Sequence, residues 1–303
     1  MRFVPIVAVV AVIVAGVGVG AWLAGRGGSS STPPANSVQS SGSAGIRVNA
    51  RDAFMVAGRN GSTVVGLAVH PKGPVDVIVI PPNLKAPPAS AVRAEVGRTA
   101  PTPVLCGPSC YRFALRVLDG TPATLTVKIH GRPTEFRLPA RLPALAQGLF
   151  STANRRMRKL QSVRVNESLS SGSTAIRARF ALAAPDRLRY TTSSGQRAVV
   201  IGNTRWDWIG GRWQESQYQR TPQPAYMWEG ARYPRVLGHA SLHGRRTMVV
   251  SVFRPDPDYP AWMRLYVTPD RRIAQADMVA PAHFMVDRLS AFNNAGPIRP
   301  PNG

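Results

Sequence analysis

The chain opens with an unbroken uncharged apolar run, Phe3 to Gly25, closed by Arg2 before it and Arg26 after it. As a helix, such a run rises about 35 Å, enough to cross a hydrocarbon core of roughly 30 Å. The pattern predicts a transmembrane anchor over residues 1–26. A cleaved signal peptide is the competing reading, with Val19-Gly20-Ala21 as the cleavage region. The long apolar stretch and the bulky Trp22 and Leu23 after that point favour the anchor. Residues 27–45 are dominated by Ser, Gly and Pro, a composition that buries too little surface to fold and reads as a flexible linker.

Past the linker the pattern becomes strand-like. Residues 46–142 contain short β-branched runs at Thr63–Val69, Val75–Ile80, Tyr111–Val117 and Ala123–Ile129, punctuated by Gly, Pro and Asp. The last two alternate with period two, the signature of one buried and one wet face. Six or seven such strands with no helical period predict a small β-sandwich. Residues 143–303 open with one helical stripe, Leu145, Leu149, Ala153, Met157 and Leu160, behind Pro143 as the expected first helical position. Alternation then returns: Ile176, Ala178, Phe180 and Leu182 against Arg177 and Arg179, and Leu188 and Tyr190 against Arg187 and Arg189. Further strands are predicted at 198–201, 204–209, 247–253, 263–267 and 273–279. A long antiparallel meander with one helix laid on it is the expected fold.

Charge adds a constraint. The formal net charge is +23, from 38 Lys and Arg against 15 Asp and Glu, and lysine stands only at Lys72, Lys85, Lys128 and Lys159. The arginines are spread through strands and not massed in a tract, which argues against a nucleic-acid binder. For an exported protein, anionic lipid headgroups are the better-matched partner of a basic surface. The single N-terminal span, the linker and a cysteine pair together place the body outside the cytoplasm.

Candidate chemistry is sparse. Cys106 and Cys110 are the only cysteines, and in an oxidising compartment they are expected to form a disulfide. His239 and His243 are four apart, but no carboxylate lies between them and a zinc site needs three or four ligands, so they read as surface histidines. No paired carboxylates, P-loop or dinucleotide fingerprint is visible. The expectation is therefore no enzyme, no catalytic residues, no metal and no cofactor. Trp206, Trp208, Trp213 and Trp228 concentrate between residues 206 and 228, with Trp206 and Trp208 on one side of a strand. Alone, they read as core.

Residues 144–301 resemble the bacterial lipoprotein-carrier fold of the LolA and LppX-like group. The likeness rests on the opening helix and the strand Ser162–Leu169. It extends to the hairpin Phe180-Ala181-Leu182-Ala183-Ala184-Pro185-Asp186-Arg187-Leu188-Arg189-Tyr190, the run Val200–Trp206, and the ending Leu289–Asn294 with Ile298–Pro301. The resemblance implies a half-open antiparallel barrel covered by a helix, whose concave face holds acyl chains. On that basis Phe180, Leu182, Tyr190, Trp206 and Trp208 are expected to line the cavity. Residues 107–138 resemble, less specifically, the immunoglobulin-like domain of copper-resistance proteins of the CopC and CopD group. The His- and Met-based copper ligands of that group have no counterpart here, so copper binding is not carried over.

The expected protein is mainly β: a transmembrane helix, a small immunoglobulin-like β-sandwich, then a helix-covered half-barrel. Its expected role is a membrane-anchored extracytoplasmic binding protein for a hydrophobic or lipid-like ligand, or an envelope-sensing module. The alternative is an adaptor for a neighbouring membrane protein, with copper homeostasis as one version.

Overall fold

The computed structural model describes residues 46–301 apart from Arg47, Lys72 and Ser173; the anchor and linker expectations fall outside these residues. No helix among the described residues is long and apolar enough to cross a membrane. Eight strands precede the helix: β1 (Phe54–Asn60), β2 (Thr63–Val69), β3 (Val75–Ile80), β4 (Val92–Val96), β5 (Val104–Gly107), β6 (Cys110–Phe113), β7 (Ala123–Ile129) and β8 (Arg132–Leu138). They form a five-stranded sheet, β1-β2-β3-β6-β5, and a three-stranded one, β4-β7-β8. Val65, Leu67, Val69, Val75, Val77 and Val79 pack against Val92, Leu125, Val127 and Phe136 to make the sandwich core.

The alternate residues of the same two strands are buried as well. Val64, Ala68, Ile78 and Ile80 join a second core with Phe253, Trp262 and Phe284. A sheet covered on both faces has no reason to alternate, which explains why β2 and β3 read as continuous apolar runs.

The remaining chain forms α1 (Gln147–Arg158) and eleven strands: β9 (Ser162–Ser170), β10 (Ala175–Ala183), β11 (Arg187–Thr192), β12 (Arg197–Ile201), β13 (Thr204–Ile209), β14 (Arg212–Gln217), β15 (Arg232–Leu242), β16 (Arg245–Arg254), β17 (Ala261–Val267), β18 (Ile273–Ala280) and β19 (His283–Ser290). These make one antiparallel sheet in the order β14-β13-β12-β11-β10-β9-β19-β18-β17-β16-β15. The chain runs outward from β9 to one edge at β14, jumps to the other edge at β15, and returns until β19 lies beside β9.

The jump sets the curvature. Laid flat, eleven strands at about 4.8 Å spacing span about 48 Å. The connection is fourteen residues, 218–231, which reach that far only when almost fully extended. It is not extended: it contains turns and buries Tyr226 and Trp228, stacked with ring centroids 4.7 Å apart. The two edges must therefore approach each other, and the sheet must curl. On its way the connection donates from Gln223 N to Pro185 O (2.8 Å) and from Tyr226 Oη to Met157 O (3.0 Å).

The helix departs from its expected start. Pro143 is not its first residue; α1 begins at Gln147, because residues 144–146 instead run beside β15. Ala146 N donates to Pro234 O and Val236 N to Ala144 O, both at 2.9 Å. Leu145 is therefore exposed, and Leu149 only half-buried. The buried stripe is Ala146, Phe150, Ala153, Met157 and Leu160, still a 3.6-residue period but begun on a different turn.

The sandwich and the large sheet are parts of one compact unit. Arg235 on β15 donates from Nε to Ala53 O (3.0 Å) and from Nη1 to Pro143 O (2.8 Å). A close approach occurs at Gly66 on β2, where an added Cβ would lie 2.3 Å from the Trp262 indole. A glycine inside a strand often marks such a close approach. Replacing Gly66 with Ala should cost about 1–3 kcal/mol through overpacking against the buried ring. Chemical denaturation of the variant measures this, and an unchanged midpoint would contradict it.

Candidate ligand-binding face

The large sheet has two faces, and register assigns each side chain to one. Phe253, Trp262, Val279 and Phe284 are mutually aligned across β16–β19 and form the outer face, turned to the sandwich. The inner face carries their neighbours. Val252, Met263, Met278, Met285 and Leu169 align in one row across β16, β17, β18, β19 and β9. Met157 of α1 meets this sheet at Ile273, whose N–H points to its Sδ at 3.4 Å. Methionine is unbranched and polarizable, so a methionine row offers an apolar surface that adapts its shape.

The expected lining residues divide between the faces. Phe180 and Tyr190 are cross-strand partners with ring centroids 5.6 Å apart, and Leu182 pairs with Leu188 in the next row. These share the inner face with Val163 and Val165. Trp206 and Trp208 do not. The Gly202-Asn203 turn sets Ile201 opposite Thr204, which aligns Trp206 with Val199 and leaves Asp207 opposite Ala198. Since Ala198 pairs with Tyr190, Arg205 and Asp207 are the inner-face residues of β13. Trp206 instead packs on the outer face with Val199, Ala181 and Ile298 of the C-terminal tail. Trp208 meets Trp213 edge-on, with the Arg197 guanidinium above its ring. Expecting both tryptophans on the concave face was one strand face out.

The inner face turns polar toward β13. There Arg205 holds Asp207 through two hydrogen bonds (2.7 and 2.8 Å) and donates a third to Tyr190 Oη at 3.0 Å. Burial raises the Tyr190 phenol above its ordinary value, with the Arg205 charge opposing.

One feature escaped sequence reading. Glu167 on β9 and Asp287 on β19 stand directly opposite each other on the inner face. They are 120 positions apart in the chain, so no local motif announces them. Glu167 is buried, and Asp287 Oδ1 is fully enclosed without a hydrogen-bond partner. Burial pushes the Glu167 carboxyl up to about 7. Asp287 is also raised, first by burial and then by the Glu167 charge. The only available clue was parity: each acid interrupts an apolar period-two row, Val163-Val165-Glu167-Leu169 and Met285-Asp287-Leu289.

Elsewhere, Cys106 and Cys110 are joined by a disulfide. Asp76 lies near the two sulfurs, but their bond to each other removes both as thiolate ligands. Asp76 accepts two hydrogen bonds from Arg112, at 2.7 and 2.9 Å. His239 on β15 and His243 in the following turn are both exposed.

No protein-family model and no curated protein sequence matches the chain. Solved structures with which it shares partial similarity include LprF from Mycobacterium bovis, at 14% identity and a TM-score of 0.39, covering 52% of this chain and 97% of that one. The Mycobacterium tuberculosis lipoprotein LppX matches at 11% identity and a TM-score of 0.37, over 50% of this chain and 97% of that one. MucB in complex with MucA(peri) matches at 13% identity and a TM-score of 0.27, over 49% and 54%.

The acid pair has a measurable consequence. The folded protein keeps a proton on Glu167 that the unfolded chain releases in the usual carboxylate range. Stability should therefore fall as pH rises from about 4.5 through about 7 as Glu167 ionises, and the raised Asp287 adds to the same downward slope. Substituting Glu167→Gln should remove the Glu167 share of this slope, leaving the part due to the buried Asp287, and stabilise the protein by roughly 2 kcal/mol above pH 7. Denaturant titrations of both proteins at pH 5 and pH 8 read the difference; parallel profiles would refute it.

Proposed function

We propose that the chain is a membrane-tethered, extracytoplasmic binding protein whose large curved sheet holds a hydrophobic or lipid-like ligand. The single observation that carries this reading is the register of the inner face, which puts the methionine row and the Phe180–Tyr190 pair on one largely apolar face, on either side of the Glu167–Asp287 pair. Phe180 and Ile176 are only half-buried there, so part of that surface remains open. Concave apolar faces with a few convergent polar groups are the usual form of small-molecule sites. The reading assigns the protein no catalysis.

The sandwich, on this reading, is immunoglobulin-like. Taking β2 to β8 as seven successive strands, their order is first-second-fifth-fourth in one sheet and third-sixth-seventh in the other. That is the arrangement of a constant-type immunoglobulin domain, with β1 added beside the first strand. Its role here is to back the large sheet through Trp262 and Phe284.

Tethering at a membrane is supported by the apolar N-terminal run, by the disulfide, which suits an oxidising compartment, and by charge. On the outer face, Arg288, Asn166, Arg179, Thr191 and Arg197 form one row across five strands. Arg177 and Arg189 flank it, and all five arginines are exposed. Basic residues so placed attract anionic headgroups at about 1 kcal/mol each.

A second reading, an adaptor for a membrane-protein partner, is favoured by one observation. Val104 and Leu105 on the sheet-edge strand β5 are 67% and 65% exposed, and an apolar edge is a natural template for another chain. Copper handling as a version of this role would require Cys106 and Cys110 to be reduced.

Native mass spectrometry of the full chain extracted from membranes should show an adduct of lipid mass, strongly depleted in a Phe180→Asp variant. Its absence from the unmodified protein would overturn the binding role. Sedimentation with vesicles should show binding that rises with anionic lipid content and falls several-fold in an Arg179→Glu, Arg288→Glu double variant. Indifference to lipid charge would remove the outer face from the account.

A further inference from the structure

The Glu167–Asp287 pair is out of place in a face built for purely apolar contact. Directly opposed cross-strand residues have Cβ atoms about 5 Å apart, and like charges there destabilise a sheet. Hydrophobic residues at the two positions would remove that cost. The pair is also unrelieved. Asp287 Oδ1 has no hydrogen-bond partner among the described residues, and burial is the first cause of the rise at both carboxyls. A structural ion pair or a satisfied polar network would look different.

Small side chains flank it. The neighbour of Glu167 on β10 is Ala178, and the neighbour of Asp287 on β18 is Ala276. Both are small side chains, so neither flanking strand sets a bulky residue directly opposite the carboxyls. Along the strands the neighbours are Val165, Leu169, Met285 and Leu289. The result is one polar spot flanked by small side chains inside an apolar face.

We propose that Glu167 and Asp287 form the polar end of the ligand site and receive the ammonium group of a hydrophobic amine, its chain lying along the apolar face. This rests on the reading of the inner face as a hydrophobic site. Two opposed carboxyls that share one proton carry a single net negative charge. A primary ammonium neutralises that charge and supplies three donors. A hydroxyl would supply hydrogen bonds but leave the charge buried, and a fatty acid would add a second anion.

Three probes of equal chain length separate these cases: dodecylamine, dodecanol and dodecanoate, each below its micelle concentration, titrated into the full chain at neutral pH. The amine should bind about tenfold or more tightly than the alcohol, with the carboxylate weakest. Glu167→Gln and Asp287→Asn should each erase most of the amine advantage over the alcohol. Equal affinity for amine and alcohol, a preference for the carboxylate, or an advantage that survives both substitutions would overturn the proposal and leave the apolar site standing. Failure of all three probes to bind would overturn the apolar site together with its polar end. If a variant does not fold, as judged by its thermal melt, the headgroup ranking of the unmodified protein decides.

Discussion

The pairing of β9 with β19 is the constraint on which the large sheet depends. It joins the first and last strands of the meander, so its ladder closes only after more than a hundred residues are in place. Everything distinctive about the sheet follows from it. With β9 interior, the chain must grow outward to β14 on one side and finish on the other, which forces a connection between edges that lie far apart in a flat sheet. Because that connection is short and partly folded, the sheet curls, and its concave side becomes a face distinct from the side that meets the sandwich.

The same pairing decides the chemistry of the inner face. Neither Glu167 nor Asp287 is unusual within its own strand. Register alone brings them together, and burial raises both carboxyls, with the Glu167 charge adding to the rise at Asp287. Their cost falls on the fold, since separate hydrophobic residues would pack without charge. Such local conflict in an otherwise consistent sheet is where function is to be sought. The conflict lies at the middle of the face, where the neighbours on both sides are alanine.

The sandwich contributes rigidity more than chemistry. Its central sheet is covered on both sides, by its own partner sheet and by the outer face of the large one. The contact of Gly66 with Trp262 shows how closely the two are fitted: a single methyl group would not be accommodated without movement. A curved sheet braced from behind has its shape held by that contact.

Much of this was legible in the residue pattern. Period-two alternation located Thr204–Ile209 to the residue and placed Phe180, Leu182 and Tyr190 on one face, because strand parity is a local property. The helical period located α1 but not its first turn, since Ala144–Ala146 were drawn onto β15 by backbone hydrogen bonds that no local signal announces. Parity also put Trp206 and Trp208 together, yet it could not say on which face. Ala198 to Ile201 are apolar throughout, so β12 carries no alternation from which to read the turn that follows.

What the chain alone determined is therefore the kind and order of its elements, the apolar start, the basic excess and the cysteine pair, all of which arise within a few residues of one another. What only the tertiary structure decided is which strands meet, which face each side chain joins, and that two solitary acids stand opposite each other. Those outcomes depend on loop-set register and on contacts between distant residues. A shift of one position there would exchange the faces and separate the pair.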